Sequence, residues 1–103
     1  MGFSDKALQA KYASLGFTPS DLGMGLQVGA VKLEAVEHPF KGVVVFFSGS
    51  TKRSMTQYEA GVAKACSVEQ VAGLIYANVA MNFRDDAEAF KDHLSTLGIP
   101  LFQ

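Results

Sequence analysis

Cysteine is nearly absent from this chain: Cys66 is the only one among 103 residues. An internal disulfide and a multi-cysteine zinc site are therefore excluded, and a reducing compartment is the natural setting. Charge of either sign is sparse and unclustered. Nine Lys and Arg against ten Asp and Glu leave a net charge of −1, and the absence of a basic stripe argues against a nucleic-acid partner. No acidic run exists. No apolar run reaches the roughly 18 residues of a membrane span. The longest candidates, 42–47 and 71–81, are of strand length, and the N-terminus lacks a charged-then-apolar leader pattern. These absences point to a soluble intracellular protein. Hydrophobic residues nevertheless make up 49% and charged residues 18% of the chain. That is enough for one packed domain over 1–103, with 1–30 as a helix and glycine-rich lead-in and 31–103 as the core.

Residues 5–15 have a helical pattern, with Ser4 placed to cap and Phe3 to staple onto Leu8. Leu8, Tyr12 and Leu15 share its apolar side, and Gly16 is placed to end it. Thr18–Asp21 is expected to be a turn or a single helical turn, and Gly23–Gly29 is glycine-rich and expected to be irregular. Its glycines resemble a dinucleotide fingerprint only in spacing, without the flanking strand and helix that such a loop needs. Val31–Glu37 alternates apolar and polar, the mark of a strand with one wet face. Val43–Phe47 is a run of β-branched and aromatic residues, expected to be buried on both faces and joined to the preceding strand as an antiparallel hairpin.

Beyond it, Met55, Tyr58, Val62, Cys66 and Glu69 follow helical spacing, which predicts a helix from about Ser54 to Gln70. Residues 73–81 read as a second buried strand, so that strand, helix and strand make a right-handed parallel crossover. Asp85 and Glu88 have capping-box spacing ahead of a helix with Ala87, Phe90, Leu94 and Leu97 on its apolar face and Gly98 at its end. Ile99–Phe102 starts a further strand.

This order of elements over 31–103 resembles the thioredoxin-fold superfamily. Phe46-Phe47-Ser48-Gly49-Ser50-Thr51-Lys52-Arg53-Ser54-Met55 resembles the approach to that family's Cys-x-x-Cys loop, with Thr51 and Ser54 in place of the two cysteines and Lys52 and Arg53 between them. Ile99-Pro100 resembles its hydrophobic residue and cis-proline. The resemblance implies an α/β domain with a mixed sheet and flanking helices, trimmed after the Pro100 position or continuing past Gln103. It also implies that the redox chemistry is gone, because hydroxyls cannot supply a thiolate.

The expectation for function is accordingly a redox-inactive structural or protein-interaction subunit of a larger assembly, with other protein subunits as partners and no cofactor. Two alternatives stand beside it. One is a divergent thiol peroxidase or oxidoreductase using Cys66. The other is a small-anion site in which the hydroxyls of Ser50, Thr51 and Ser54, the charges of Lys52 and Arg53, and free amides at a helix start hold a phosphate or carboxylate. His38 and His93 lie far apart with no ligand set around either, so no metal site is expected. Asp85, Asp86 and Glu88 read as a solvated helix start. Phe40, Phe83 and Phe102 read as core, or as a partner surface if exposed together.

Overall fold

A short helix opens the chain because Asp5 accepts the backbone N–H groups of Ala7 and Leu8, at 2.9 and 3.2 Å. The computed structural model describes residues 3–40 and 42–101. Helix α1 (Lys6–Ser14) buries Leu8 and Tyr12. The cap is Asp5, because Ser4 turns its N–H and hydroxyl to Glu37 instead. Phe3 stacks on Tyr12 at 5.4 Å, one helical turn beyond the Leu8 expected for a staple. Gly16 ends the helix with φ 95°, as its position predicts.

Among the described residues five strands follow in uninterrupted order: β1 (Thr18–Pro19), β2 (Met24–Val28), β3 (Val31–His38), β4 (Gly42–Ser48) and β5 (Arg53–Tyr58). They form one sheet in that same order, every neighbouring pair antiparallel. The hairpin between β3 and β4 agrees with the sequence reading. The glycine-rich stretch expected to be irregular is the regular strand β2, paired with β3 along its whole length. Glycine is needed beside it, since a Cβ on Gly23 would run into the Ala35 carbonyl.

The largest departure lies after β4. Residues 53–58 form a strand rather than the start of a helix, and their exposure alternates down to the buried Tyr58. Met55, Tyr58 and Val62 match helical spacing by coincidence. The Gly49–Lys52 turn instead folds Ser54, Thr56 and Tyr58 back onto β4. Helix α2 (Ala60–Ala65) and helix α3 (Val68–Asn82) come next, so the strand expected at 73–81 is helical. The signal for α3 was present in Ser67 and Gln70. Ser67 Oγ accepts the Gln70 N–H at 3.2 Å and Gln70 Oε1 accepts the Ser67 N–H at 2.7 Å, a reciprocal capping box. Ala72, Ile75 and Val79 then recur at helical spacing and are buried.

With 53–58 antiparallel and 73–81 helical, no parallel crossover exists among the described residues, and the sheet is antiparallel instead of mixed. A 3₁₀ turn (Arg84–Asp86) leads into helix α4 (Ala87–Thr96), which buries Phe90 and Leu94 and ends at Gly98 with φ 73°. The Asp85–Glu88 box does not form. Asp86 precedes α4 without capping it, and its carboxylate accepts the Ala30 N–H at 3.0 Å, pinning the β2–β3 turn. Residues 99–101 form no strand, no peptide bond among the described residues is cis, and Phe102 lies outside them.

The helices cover one face of the sheet. Met24, Val28, Val31, Leu33, Ala35, Val43, Val45 and Phe47 point to that side and make one core with Leu8, Tyr12, Leu15, Ile75, Val79, Phe90 and Leu94. The radius of gyration, 12.5 Å, suits one compact domain of this length.

Candidate interaction interface

In a meander the first and last strands are edges, and here the two edges differ in kind. β1 is two residues long and ends on Pro19, so it offers a neighbouring chain almost no ladder. β5 is six residues long and contains no proline. The turn hydrogen bond from Gly49 N–H to the Lys52 carbonyl, 2.8 Å, sets the alternation along the β4–β5 pair. Ser54, Thr56 and Tyr58 face β4 with their backbone groups, while the N–H and C=O of Arg53, Met55 and Gln57 point outward. Among the described residues, no hydrogen bond outside the sheet ladder reaches those outward groups.

The side chains of those three residues lie on the face of the sheet that no helix covers. Cross-strand partners share a face, which aligns Glu34, Phe46 and Met55 in one row, Val36, Val44 and Gln57 in the next, and Lys32, Ser48 and Arg53 in a third. Val44 is shielded by its neighbours, but Phe46 is 42% and Met55 57% exposed. The expectation that Val43–Phe47 is buried on both faces therefore fails at Phe46. Its five-residue apolar run could not reveal which face lacked a cover.

Beneath β5, Ser54 Oγ donates to Asn78 Oδ1 at 3.0 Å, and the Asn82 amide donates to the same oxygen at 3.3 Å. This bond fixes which side of α3 lies below the open edge. Leu74 and Met81, four residues before and three after Asn78, flank it along the helix and are 41% and 78% exposed.

The residues singled out as a degenerate redox loop are thereby separated. Thr51 and Lys52 are exposed in the β4–β5 turn, whereas Arg53 and Ser54 belong to β5, Arg53 on the open face and Ser54 on the covered one. No helix starts there, so the helix dipole invoked for anion binding is missing from Ser50–Ser54, and the expected helix start at Ser54 is corrected to a strand. The recess beside the turn, about 190 Å³, sets Lys52 and Arg84 among Asp85 and Asp86, carboxylates that oppose an anion. Pro100 follows the end of α4, where the Ile99 N–H donates to the Leu94 carbonyl at 3.0 Å. It is not cis and has no parallel sheet to carry it across from Thr51 and Ser54.

Cys66 is half-buried at the end of α2, its N–H bonded to the Val62 carbonyl at 2.9 Å, and packs against the core. The His93 Nε2–H donates to the Leu15 carbonyl at 2.8 Å and ties α4 to the end of α1. His38 Nδ1 accepts the Phe40 N–H at 3.1 Å. Among the described residues no three His, Cys, Asp or Glu side chains converge as metal ligands. Phe83 is buried and stacks on Phe47 at 6.3 Å, while Phe40 is 94% exposed, so these aromatics form no common surface.

A groove of about 540 Å³ opens between the start of α1, the β3–β4 turn and α2. Its polar groups are engaged. Glu37 accepts from Ser4, and Lys64 pairs with the neighbouring Asp5 at 3.4 Å. The Leu8 amide, foremost, with the Ala7 amide and Lys64 holds the Asp5 carboxyl below its ordinary value. Burial pushes the phenols of Tyr12 and Tyr58 up, with Cys66 nearby adding to the effect. None of the described helices is long and apolar enough to cross a membrane.

Comparison with protein-family models, curated proteins and solved structures finds no match to this chain.

Proposed function

We propose that this protein is a non-catalytic subunit that joins other protein chains by accepting an extended strand along β5. One observation carries the reading: of the two sheet edges, only β5 has the length and the outward backbone groups to pair with a further strand. Main-chain bonds to Arg53, Met55 and Gln57 would provide affinity. The uncovered face with Phe46 and Met55 would select the side chains of the incoming strand. The thioredoxin-like resemblance over residues 31–103 adds nothing to this. With β4 paired antiparallel on both sides, no helix begins at Thr51. Thiol chemistry at Cys66 and anion capture at Ser50–Ser54 have no observation in their favour.

The test places a photoreactive amino acid at Gln57 and irradiates the protein in extract of its source cells. A discrete protein adduct is expected, competed by excess parent protein and not by Gln57→Pro. That substitution removes an outward N–H and leaves the β4–β5 ladder intact. Diffuse labelling, or equal competition by Gln57→Pro, would sink the reading.

A further inference from the structure

The ends of β5 carry opposite charges. Arg53 opens the strand and Glu59 follows its last residue in extended conformation, φ −60° and ψ 152°, with no side-chain capping bond of its own. Two antiparallel copies of the strand related by a two-fold axis at Thr56 set residues whose numbers sum to the same value opposite each other. Met55 then meets Gln57 of the second copy in a hydrogen-bonded pair, Ser54 meets Tyr58, and Arg53 meets Glu59. The outward-pointing groups of Arg53, Met55 and Gln57 are the ones such pairing consumes. The charge match occurs twice, once at each end of the seam, as an isologous interface requires.

Strand pairing alone is small. Stable specific interfaces bury on the order of 1,200–2,000 Å², more than two short strands supply. The remainder is beneath the seam. The Ser54–Asn78 bond turns the Leu74, Ala77 and Met81 side of α3 toward the β5 edge, and these positions follow the i, i+3, i+7 spacing of a helix–helix contact. A two-fold at Thr56 brings this stripe against its own copy, covering Leu74 and Met81, both exposed in the single chain. Edge, charge and apolar stripe are thus continuous on one side of the molecule.

We infer that the chain pairs with a second copy of itself through β5, with Arg53 opposite Glu59 and α3 packed on α3 below. This rests on the reading of β5 as a strand acceptor and names its occupant.

Analytical ultracentrifugation across a concentration series of the parent, Gln57→Pro, Arg53→Glu and Glu59→Arg tests it. The parent is expected to reach twice the 11.0 kDa mass of the chain. Gln57→Pro should abolish the dimer with the monomer's circular dichroism unchanged. Arg53→Glu and Glu59→Arg should each weaken it about tenfold, because each creates two like-charged pairs. An equimolar mixture of these two charge variants should dimerise like the parent, since each end of the mixed seam then sets one acidic side chain against one basic one.

A parent that stays monomeric throughout overturns the inference, as does a dimer indifferent to Gln57→Pro. A dimer that Gln57→Pro abolishes but the charge mixture fails to restore overturns the Arg53–Glu59 register. A monomeric parent that still gives the competed adduct at Gln57 would sink self-pairing and leave strand acceptance standing. Loss of both would remove the two together.

Discussion

At Asp5 one carboxylate accepts two backbone amides at the start of α1 and faces Lys64. Its pKa is lowered below the ordinary 3.8, so the folded state holds the ionised form more strongly than the unfolded chain does. The associated stability is present above the unfolded pKa and is lost as pH falls through the folded one. Asn caps nearly as well but does not titrate. Asp5→Asn is therefore expected to flatten the decline of stability below about pH 4, measured by urea midpoints across the acid range. An unchanged acid profile would assign that decline elsewhere. Tyr58 presents the opposite case: its buried hydroxyl meets no partner at hydrogen-bond geometry among the described residues, and the Thr56 side chain nearby only partly offsets the rise that burial imposes on the phenol. Removing an unsatisfied polar atom costs nothing and can help, so Tyr58→Phe should be neutral or up to about 1 kcal/mol more stable. A loss of that size in chemical denaturation would mean that the hydroxyl has a partner.

At the scale of elements, β5 is the strand whose two sides behave differently. Thr56 turns its N–H into the β4 ladder, whereas Gln57 turns its own away. Thr56→Pro removes a ladder bond and is expected to cost about 3 kcal/mol. Gln57→Pro, one residue on, should cost little. Equal losses in a denaturation series would show that the hydrogen-bond alternation is shifted by one residue. The same strand shows how much of the element pattern was legible. The helices at α1 and α4 and the β3–β4 hairpin could be read from periodicity and turns, because each has one apolar face and a recognisable end. β5 could not, because its inward side chains are Ser54, Thr56 and Tyr58 and offer no apolar alternation. In α3, Gly73 to Met81 is apolar on nearly every side and imitates a buried strand. Only the Ser67–Gln70 capping box distinguishes it locally.

For the whole molecule, the decisive fact is that all the helices lie on one side of the sheet. Phe46 and Phe47 are adjacent in sequence and alike in chemistry, yet Phe47 is fully buried and Phe46 is 42% exposed. Phe47→Ala should cost about 3–5 kcal/mol, a large part of the stability of a small domain. Phe46→Ala should cost about 1 kcal/mol or less. Comparable losses would mean that the outer face has a cover. If self-pairing through β5 holds, Met55 of each copy lies near the seam and the two uncovered faces become continuous.

Local sequence carries the alternation of β3, the glycine stops of the outer helices, the sparse charge and the single cysteine. These are local properties, set by neighbours within a turn or two. Packing between segments makes residues 53–58 run back along β4, keeps the sheet antiparallel throughout, and leaves β5 as its open edge. Those outcomes depend on which segment each strand meets and on what packs beneath it. The ladder from Ser48–Arg53 to Val43–Tyr58 and the bond from Ser54 to Asn78 decided them, and neither shows in the periodicity of one segment taken alone.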